Sequence, residues 1–132
     1  MSGISDKNKL LEFWLESAEK DFQTMLDLKR TGHNHWALFM GHLVIEKLAK
    51  ALFVKINKAQ PPLLHDLRRI IEKTGVTIEP DRRKVLDGIT RFNLRARYDD
   101  YKHSFYRLCT DEFTDHWIEK IKESKKWIKS LL

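Results

Sequence analysis

Cysteine is almost absent from this chain, because Cys109 is the only one among 132 residues. An internal disulfide is therefore impossible, which is typical of proteins from a reducing compartment. We predict a cytoplasmic location on this basis. Cys109 also has no partnered histidine nearby in the sequence, so a role as a nucleophile has little support.

Long apolar runs are also missing. None approaches the roughly 20 residues that a helix needs to span a bilayer, so no membrane association is expected. Residues 1–9 are polar and charges interrupt the apolar residues that follow, which is unlike a signal peptide. A length of 132 residues suits one core. We predict a single domain over residues 1–132, with residues 1–8 as a candidate disordered tail.

The sequence shows no strand-like alternation, repeat or low-complexity tract, and its apolar residues recur at helical spacing instead. Breaks at Pro61 and Pro62, and later from Gly75 to Pro80, separate the helical stretches. The pattern predicts an all-α up-and-down bundle. Its expected helices run from a cap at Ser5 or Asp6 to about Arg30, from about Asn34 to Lys55, from Leu63 to about Lys73, from a cap at Asp81 through Phe92, and from about Asp111 to Leu132.

The second of these helices is apolar around most of its circumference. Such a helix either lies at the centre of a fold or uses a second face against another subunit. His42 and Glu46 lie one turn apart within it, a spacing that metal ligands can use. No further ligands accompany them, so we interpret His42 as a core histidine and expect Glu46 to pair with Lys50.

Positive charge exceeds negative charge, with 25 Lys and Arg against 19 Asp and Glu and a net charge of +6. Much of the excess is local, because residues 82–107 contain eight basic and three acidic residues. A basic region of this kind favours an anionic partner such as nucleic acid or a nucleotide. The alternative is a solvated charged face, and charge alone does not separate the two.

The segment from Asn93 to Tyr106 concentrates tyrosine, charged residues and histidine, and it has little helical periodicity. Polar, aromatic-rich segments between helices are common functional sites because a rigid scaffold presents their side chains. Within this segment, five residues separate Arg97 from His103. This pair indicates either phosphate-handling chemistry or a coincidence, since a histidine can transfer protons near neutral pH and an arginine can hold a phosphate and stabilise its charge.

Arg97 also has a structural interpretation, which is an ion pair with Asp99, Asp100 or Asp66 that would fix the segment to the bundle. The two adjacent aspartates could in principle bind a metal ion, but no cluster of Cys or His accompanies them. We therefore predict no metal site, and the sequence implies no cofactor.

The three tyrosines of this segment also allow two interpretations. Tyr98, Tyr101 and Tyr106 can pack over the end of the bundle, or they can stack on bases with arginines alongside. We interpret His65 and Asp66 as a capping arrangement at the start of the third helix, where the helix dipole favours the aspartate.

Four motifs, in order along the chain, resemble those of a HEPN domain, the helical domain named for higher eukaryotes and prokaryotes. The second-helix motif is the most specific, with Trp36 to Phe39 followed by Glu46 to Leu52. Together the motifs cover about residues 10–130. The other three are Ala18-Glu19-Lys20-Asp21, Leu64-His65-Asp66-Leu67 and Phe92-Asn93-Leu94-Arg95-Ala96-Arg97-Tyr98.

This resemblance implies a four- to five-helix up-and-down bundle that forms a homodimer. Many such proteins are encoded beside a minimal nucleotidyltransferase in toxin–antitoxin pairs. Many active ones are metal-independent ribonucleases with an Arg, four to six residues and then a His, and pairs from two subunits meet at the dimer interface. The resemblance thus implies a catalytic pair and an adjacent site for RNA or a nucleotide, consisting of Arg97 and His103 with Arg95, Tyr98, Tyr101 and Lys102.

Other members lack the catalytic pair and are non-catalytic interaction modules or nucleotide-binding proteins. This chain departs from the catalytic pattern where Tyr98, rather than a polar residue, follows Arg97. Members modified by the nucleotidyltransferase carry a Tyr two residues after the His, where this chain has Phe105. At the level of sequence, a ribonuclease and a non-catalytic module both stay open.

Overall fold

A computed structural model describes residues 2–132, with side chains from residue 6 onward. Every regular element in this range is an α-helix, which confirms the predicted all-α bundle. None of these helices combines the length and the hydropathy needed to cross a bilayer. Four helices are long and two are short: α1 (Ser2–Arg30), α2 (Asn34–Asn57), α3 (Leu67–Glu72), α4 (Pro80–Arg97), α5 (Ser104–Leu108) and α6 (Asp111–Leu131).

α2 lies at the centre of the bundle, where it contacts each of the other five helices. Thirteen of its 24 residues are buried, and removal of this apolar surface from water is the main contribution to stability. α1 covers one side of it most extensively, while α6 and α4 cover others. The prediction that this helix is central is therefore confirmed.

Two glycines allow the helices to approach closely. A Cβ atom on Gly41 would collide with Ile121 Cδ1 of α6 and would lie 3.2 Å from Met25 Sδ of α1. A Cβ atom on Gly88 would collide with the indole ring of Trp117. The α2–α6 and α4–α6 contacts therefore depend on these glycines.

The predicted start of the first helix is wrong, because α1 already begins at Ser2. Ser5 and Asp6 thus lie inside the helix and do not cap it. Met1, which the predicted tail also includes, lies outside the described residues. The predicted last helix is confirmed, and Thr110 caps it by accepting a hydrogen bond from the backbone N–H of Phe113 at 3.2 Å.

The third helix is shorter than predicted, because α3 begins at Leu67 rather than Leu63. Asp66 is its N-cap and accepts a hydrogen bond from the backbone N–H of Arg69 at 3.2 Å, as the capping interpretation predicts. A side-chain cap of this kind fixes the first turn, since the N–H groups there have no partner within the helix.

The fourth helix differs from the prediction at both ends. Pro80 occupies its first turn and Glu79 is the N-cap, so Asp81 lies inside the helix and does not cap it. A fixed proline φ suits this position, where no backbone N–H is needed. At the other end, the helix continues to Arg97 because the buried Ala96, four residues after the buried Phe92, extends its apolar stripe.

Candidate functional site

The site predicted from the sequence lies at one end of the bundle, where α4 ends and a turn leads into α5. The first part of the segment Asn93–Tyr106 is therefore helical, contrary to its low apparent periodicity. Tyr98 ends α4 and donates its backbone N–H to Leu94 O at 2.8 Å. Every predicted site residue is exposed here, namely Arg95, Arg97, Tyr98, Tyr101, Lys102 and His103.

Arg97 is held in place by a neutral residue one turn earlier. Its Nε donates to Asn93 O at 2.8 Å, and Nη2 donates to Asn93 Oδ1 at 2.9 Å. The guanidinium carbon also lies 5.5 Å from the ring centre of Phe39 and 5.3 Å from that of Tyr98. Contacts of this type orient the arginine without neutralising its charge. The guanidinium therefore keeps both its charge and free donors for an anion.

The carboxylate of Asp99 accepts hydrogen bonds from the first turn of α5, whose N-cap residue is His103. Its Oδ1 accepts hydrogen bonds from the N–H groups of Asp100 (2.8 Å) and Phe105 (3.0 Å), and its Oδ2 accepts one from Tyr106 (3.0 Å). Partial desolvation alone would raise the pKa of Asp99, but these hydrogen bonds and the nearby His103 lower it below its ordinary value. The carboxylate is a structural anion that fixes α5 to the end of α4.

Asp100 has a similar structural role. Hydrogen bonding with the side chain and backbone of Ser104, followed by the N–H of Lys102, lowers the pKa of Asp100. Its Oδ1 lies 3.0 Å from both backbone nitrogens. Among the described residues, Arg97 forms no salt bridge with either aspartate or with Asp66, which caps α3. The alternative of an ion-paired Arg97 is therefore wrong, because Asn93 holds it instead.

His103 directly precedes α5 in a left-handed backbone conformation, with φ of 56°. Its backbone N–H donates to Asp100 O at 3.0 Å, while its imidazole makes no capping hydrogen bond and is exposed. A non-glycine residue in this conformation is uncommon. Within the described residues, no hydrogen bond links His103 to Arg97, although both side chains are exposed at the same end of the bundle.

The other predicted cations also lie beside aromatic rings. The guanidinium carbon of Arg95 is 4.9 Å from the ring centre of Phe105, and Lys102 Nζ is 5.7 Å from that of Tyr101. Tyr98 and Tyr101 are 72% and 87% exposed, so their rings remain available for stacking. We name this group the cation–aromatic surface; it consists of Phe39, Arg95, Arg97, Tyr98, Tyr101 and Lys102.

Sequence reasoning missed a row of aromatic side chains that continues this surface onto α2. His35 contacts Tyr106 edge-on at 5.2 Å and Trp36 at 4.9 Å, and Trp36 contacts Phe39 at 6.0 Å between ring centres. Desolvation lowers the pKa of His35, which favours the neutral ring. Their helical spacing resembles that of core residues, so only the exposed Trp36 and Tyr106 show that this row lies at the surface.

A polar cluster farther along α2 joins three buried side chains of that helix to the exposed His65. His42 Nε2 donates to His65 O at 2.9 Å, His65 Nδ1 donates to Glu46 Oε1 at 2.9 Å, and Lys50 Nζ donates to Glu46 Oε2 at 3.1 Å. Burial lowers the pKa of His42, so it is a neutral core histidine as predicted. The predicted Glu46–Lys50 pair is confirmed, whereas His65 fixes its loop to α2 and does not cap α3.

Cys109 is the free thiol at the end of α5, and it is buried. Burial raises the pKa of Cys109 to about 12, which keeps the thiol protonated and unreactive. No group of three or more His, Cys, Asp or Glu side chains in the described part of the chain could hold a metal ion.

Comparison with known proteins matches the HEPN domain model over residues 11–131. The chain belongs to the HEPN domain family. TT1696 from Thermus thermophilus has a similar solved structure, with a TM-score of 0.79, 17% identity, and coverage of 92% of this HEPN chain and 98% of that protein. ST0689, an archaeal HEPN homologue, has a TM-score of 0.71, 21% identity, and coverage of 91% and 95%. At these identities the likeness establishes the fold alone. No curated protein matches the HEPN chain.

The buried Glu46–Lys50 pair predicts an asymmetric response to substitution. Glu46→Met should destabilise the protein by about 3 kcal/mol or more, because it leaves the Lys50 ammonium buried without a partner. The double variant Glu46→Met/Lys50→Met should recover much of this loss. Urea denaturation measures both values, and equal stability of the single and double variants would contradict the coupling.

The hydrogen bonds that Asp99 accepts predict a pH-dependent contribution to stability. Because the folded state lowers the pKa of Asp99, its charged form stabilises the fold above the unfolded pKa, and this contribution is lost as the pH falls. Asp99→Asn should therefore be less stable than the native chain at neutral pH, and the difference should shrink below about pH 4. Thermal unfolding across this range tests it. Glu12→Gln, on the exposed face of α1, is the control for loss of one negative charge.

Proposed function

We propose that this HEPN protein binds RNA or a nucleotide through the cation–aromatic surface. The observation that carries the proposal is the environment of Arg97, which is exposed, bonded to the neutral Asn93 and flanked by the rings of Phe39 and Tyr98. An arginine with charge and donors to spare recognises phosphate well. The exposed rings of Tyr98 and Tyr101 offer faces on which bases stack.

The surroundings of His103 favour binding over catalysis. The carboxylates of Asp99 and Asp100 occupy backbone N–H groups at the start of α5, which are donors that a phosphate could otherwise use. They also add two negative charges next to His103, and these oppose the approach of a phosphodiester. We therefore give first place to a non-catalytic binding module that acts as a homodimer.

A metal-independent ribonuclease is the second candidate, with Arg97 and His103 as its catalytic residues. It is supported by the exposure of both side chains at one end of the bundle and by the absence of a carboxylate partner for Arg97 within the described residues. His103 would transfer the proton and Arg97 would stabilise charge on the phosphate. In that case the protein would be the toxin-like partner of a minimal nucleotidyltransferase.

Binding to a labelled single-stranded RNA tests the first candidate. Tyr98→Ala should weaken binding about tenfold, since a base–aromatic stack contributes roughly 1–3 kcal/mol. Arg97→Gln should weaken binding and reduce its dependence on salt. Fluorescence anisotropy measures both effects. Lys126→Gln, an exposed lysine on α6, is the matched charge control and should bind like the native chain. Unaltered affinity of both surface variants would exclude this surface.

Cleavage assays with EDTA present separate the two candidates. If the protein is a binding module, the native chain and His103→Ala should bind RNA equally and leave it intact. If the native chain cleaves RNA and His103→Ala binds RNA equally well without cleaving it, the protein is a ribonuclease and the binding-module proposal is wrong. Gel electrophoresis of end-labelled RNA provides the readout. Lys126→Gln, purified in the same way, is again the control and should behave like the native chain.

A further inference from the structure

The exposed side of α4 carries a line of cations that leads away from the cation–aromatic surface. Lys84, Arg91 and Arg95 are exposed, and with 3.6 residues per turn they lie within about 40° of one another around the helix. At 1.5 Å per residue, about 16 Å along the helix axis separates Lys84 from Arg95. We name these three residues the α4 basic stripe.

Two acidic residues of α4 lie one turn from this stripe. Asp81 precedes Lys84 by three residues, and Asp87, between Lys84 and Arg91, forms a salt bridge with Arg68 of α3, with Nε and Oδ1 3.4 Å apart. In the described part of the chain, the stripe residues themselves form no salt bridge. A row of unpaired cations on one helix face concentrates positive potential and attracts polyanions.

Two other bases of α4 have contacts within the fold, as Arg95 of the stripe does with the ring of Phe105. Arg83 Nε donates to Ile78 O at 2.8 Å, and Arg82 lies 4.5 Å from the ring centre of Trp127. Midway along the stripe, Gly88 has no side chain, and the ring of Trp117 packs against its backbone. Beside its midpoint the stripe is therefore bordered by the Trp117 ring of α6, which covers the buried Gly88.

We propose that the α4 basic stripe binds the phosphodiester backbone of single-stranded RNA, so that the ligand is a polynucleotide and not a mononucleotide. This inference rests on the proposed function, in which Tyr98 and Tyr101 stack on bases at the end of α4. A mononucleotide held at Arg97 does not reach Lys84, whereas a strand several nucleotides long does. Cations that follow the backbone, combined with aromatic rings that receive bases, are how proteins hold single strands.

Binding of two ligands to one charge-deleted variant tests this inference. The variant is Lys84→Gln/Arg91→Gln, and the ligands are AMP and a labelled single-stranded RNA of about 12 nucleotides. Loss of two phosphate contacts should make the slope of log affinity against log salt shallower by about 1.4 for the RNA, and should leave AMP binding unchanged. The control is Lys126→Gln/Lys129→Gln, which removes the same charge from α6 on the side near Glu19 of α1 and should retain the native slope.

The outcomes separate this inference from the proposed function. If RNA binds but the stripe variant keeps the native slope and affinity, the stripe is not used and the inference is overturned while the proposed function stands. If neither AMP nor RNA binds to the native chain, both fail. Inorganic polyphosphate that binds as tightly as RNA would also overturn the assignment, because it has no bases to stack.

Discussion

The central position of α2, in contact with all five other helices, is the constraint on which the rest of the structure depends. A helix surrounded by five others must satisfy the polar groups that it carries into the core, since unpaired buried polar atoms are costly. Glu46 does so by joining Lys50 on its own helix to His65 on the loop before α3. The loop is therefore a part of the core's hydrogen bonding as well as a connection between helices.

The candidate site follows from the same arrangement. At the N-terminal end of α2, Trp36 packs against Phe39, and Phe39 lies beside Arg97 in the last turn of α4. Arg97 lies over one of these rings, so the position of the guanidinium is set by the packing of two long helices. Sites built on helices are held more rigidly than sites on free loops, and the turn that follows is further fixed by Asp99.

Much of the fold could be predicted from the chain, because α1, α2 and α6 have strong periodicity and clear breaks. The ends of α3 and α4 could not, since Leu63 and Asn93 carry no local signal that separates loop from helix. For the candidate site, the exposure of its residues was predictable. The roles of the charged groups were not predictable. Arg97 bonds to Asn93, and Asp99 bonds to the backbone of α5, so the two do not pair with each other. These partners are visible only in the three-dimensional structure.

The buried thiol of Cys109 has a practical consequence for work on this protein. A thiolate suppressed by burial reacts slowly with alkylating reagents. A cysteine introduced at an exposed position such as Tyr101 would therefore be the reactive thiol in the native background. Spin labels or fluorophores can thus be attached just after the end of α4 without replacing Cys109, and distance measurements between labelled copies would report whether the chains associate and in what arrangement.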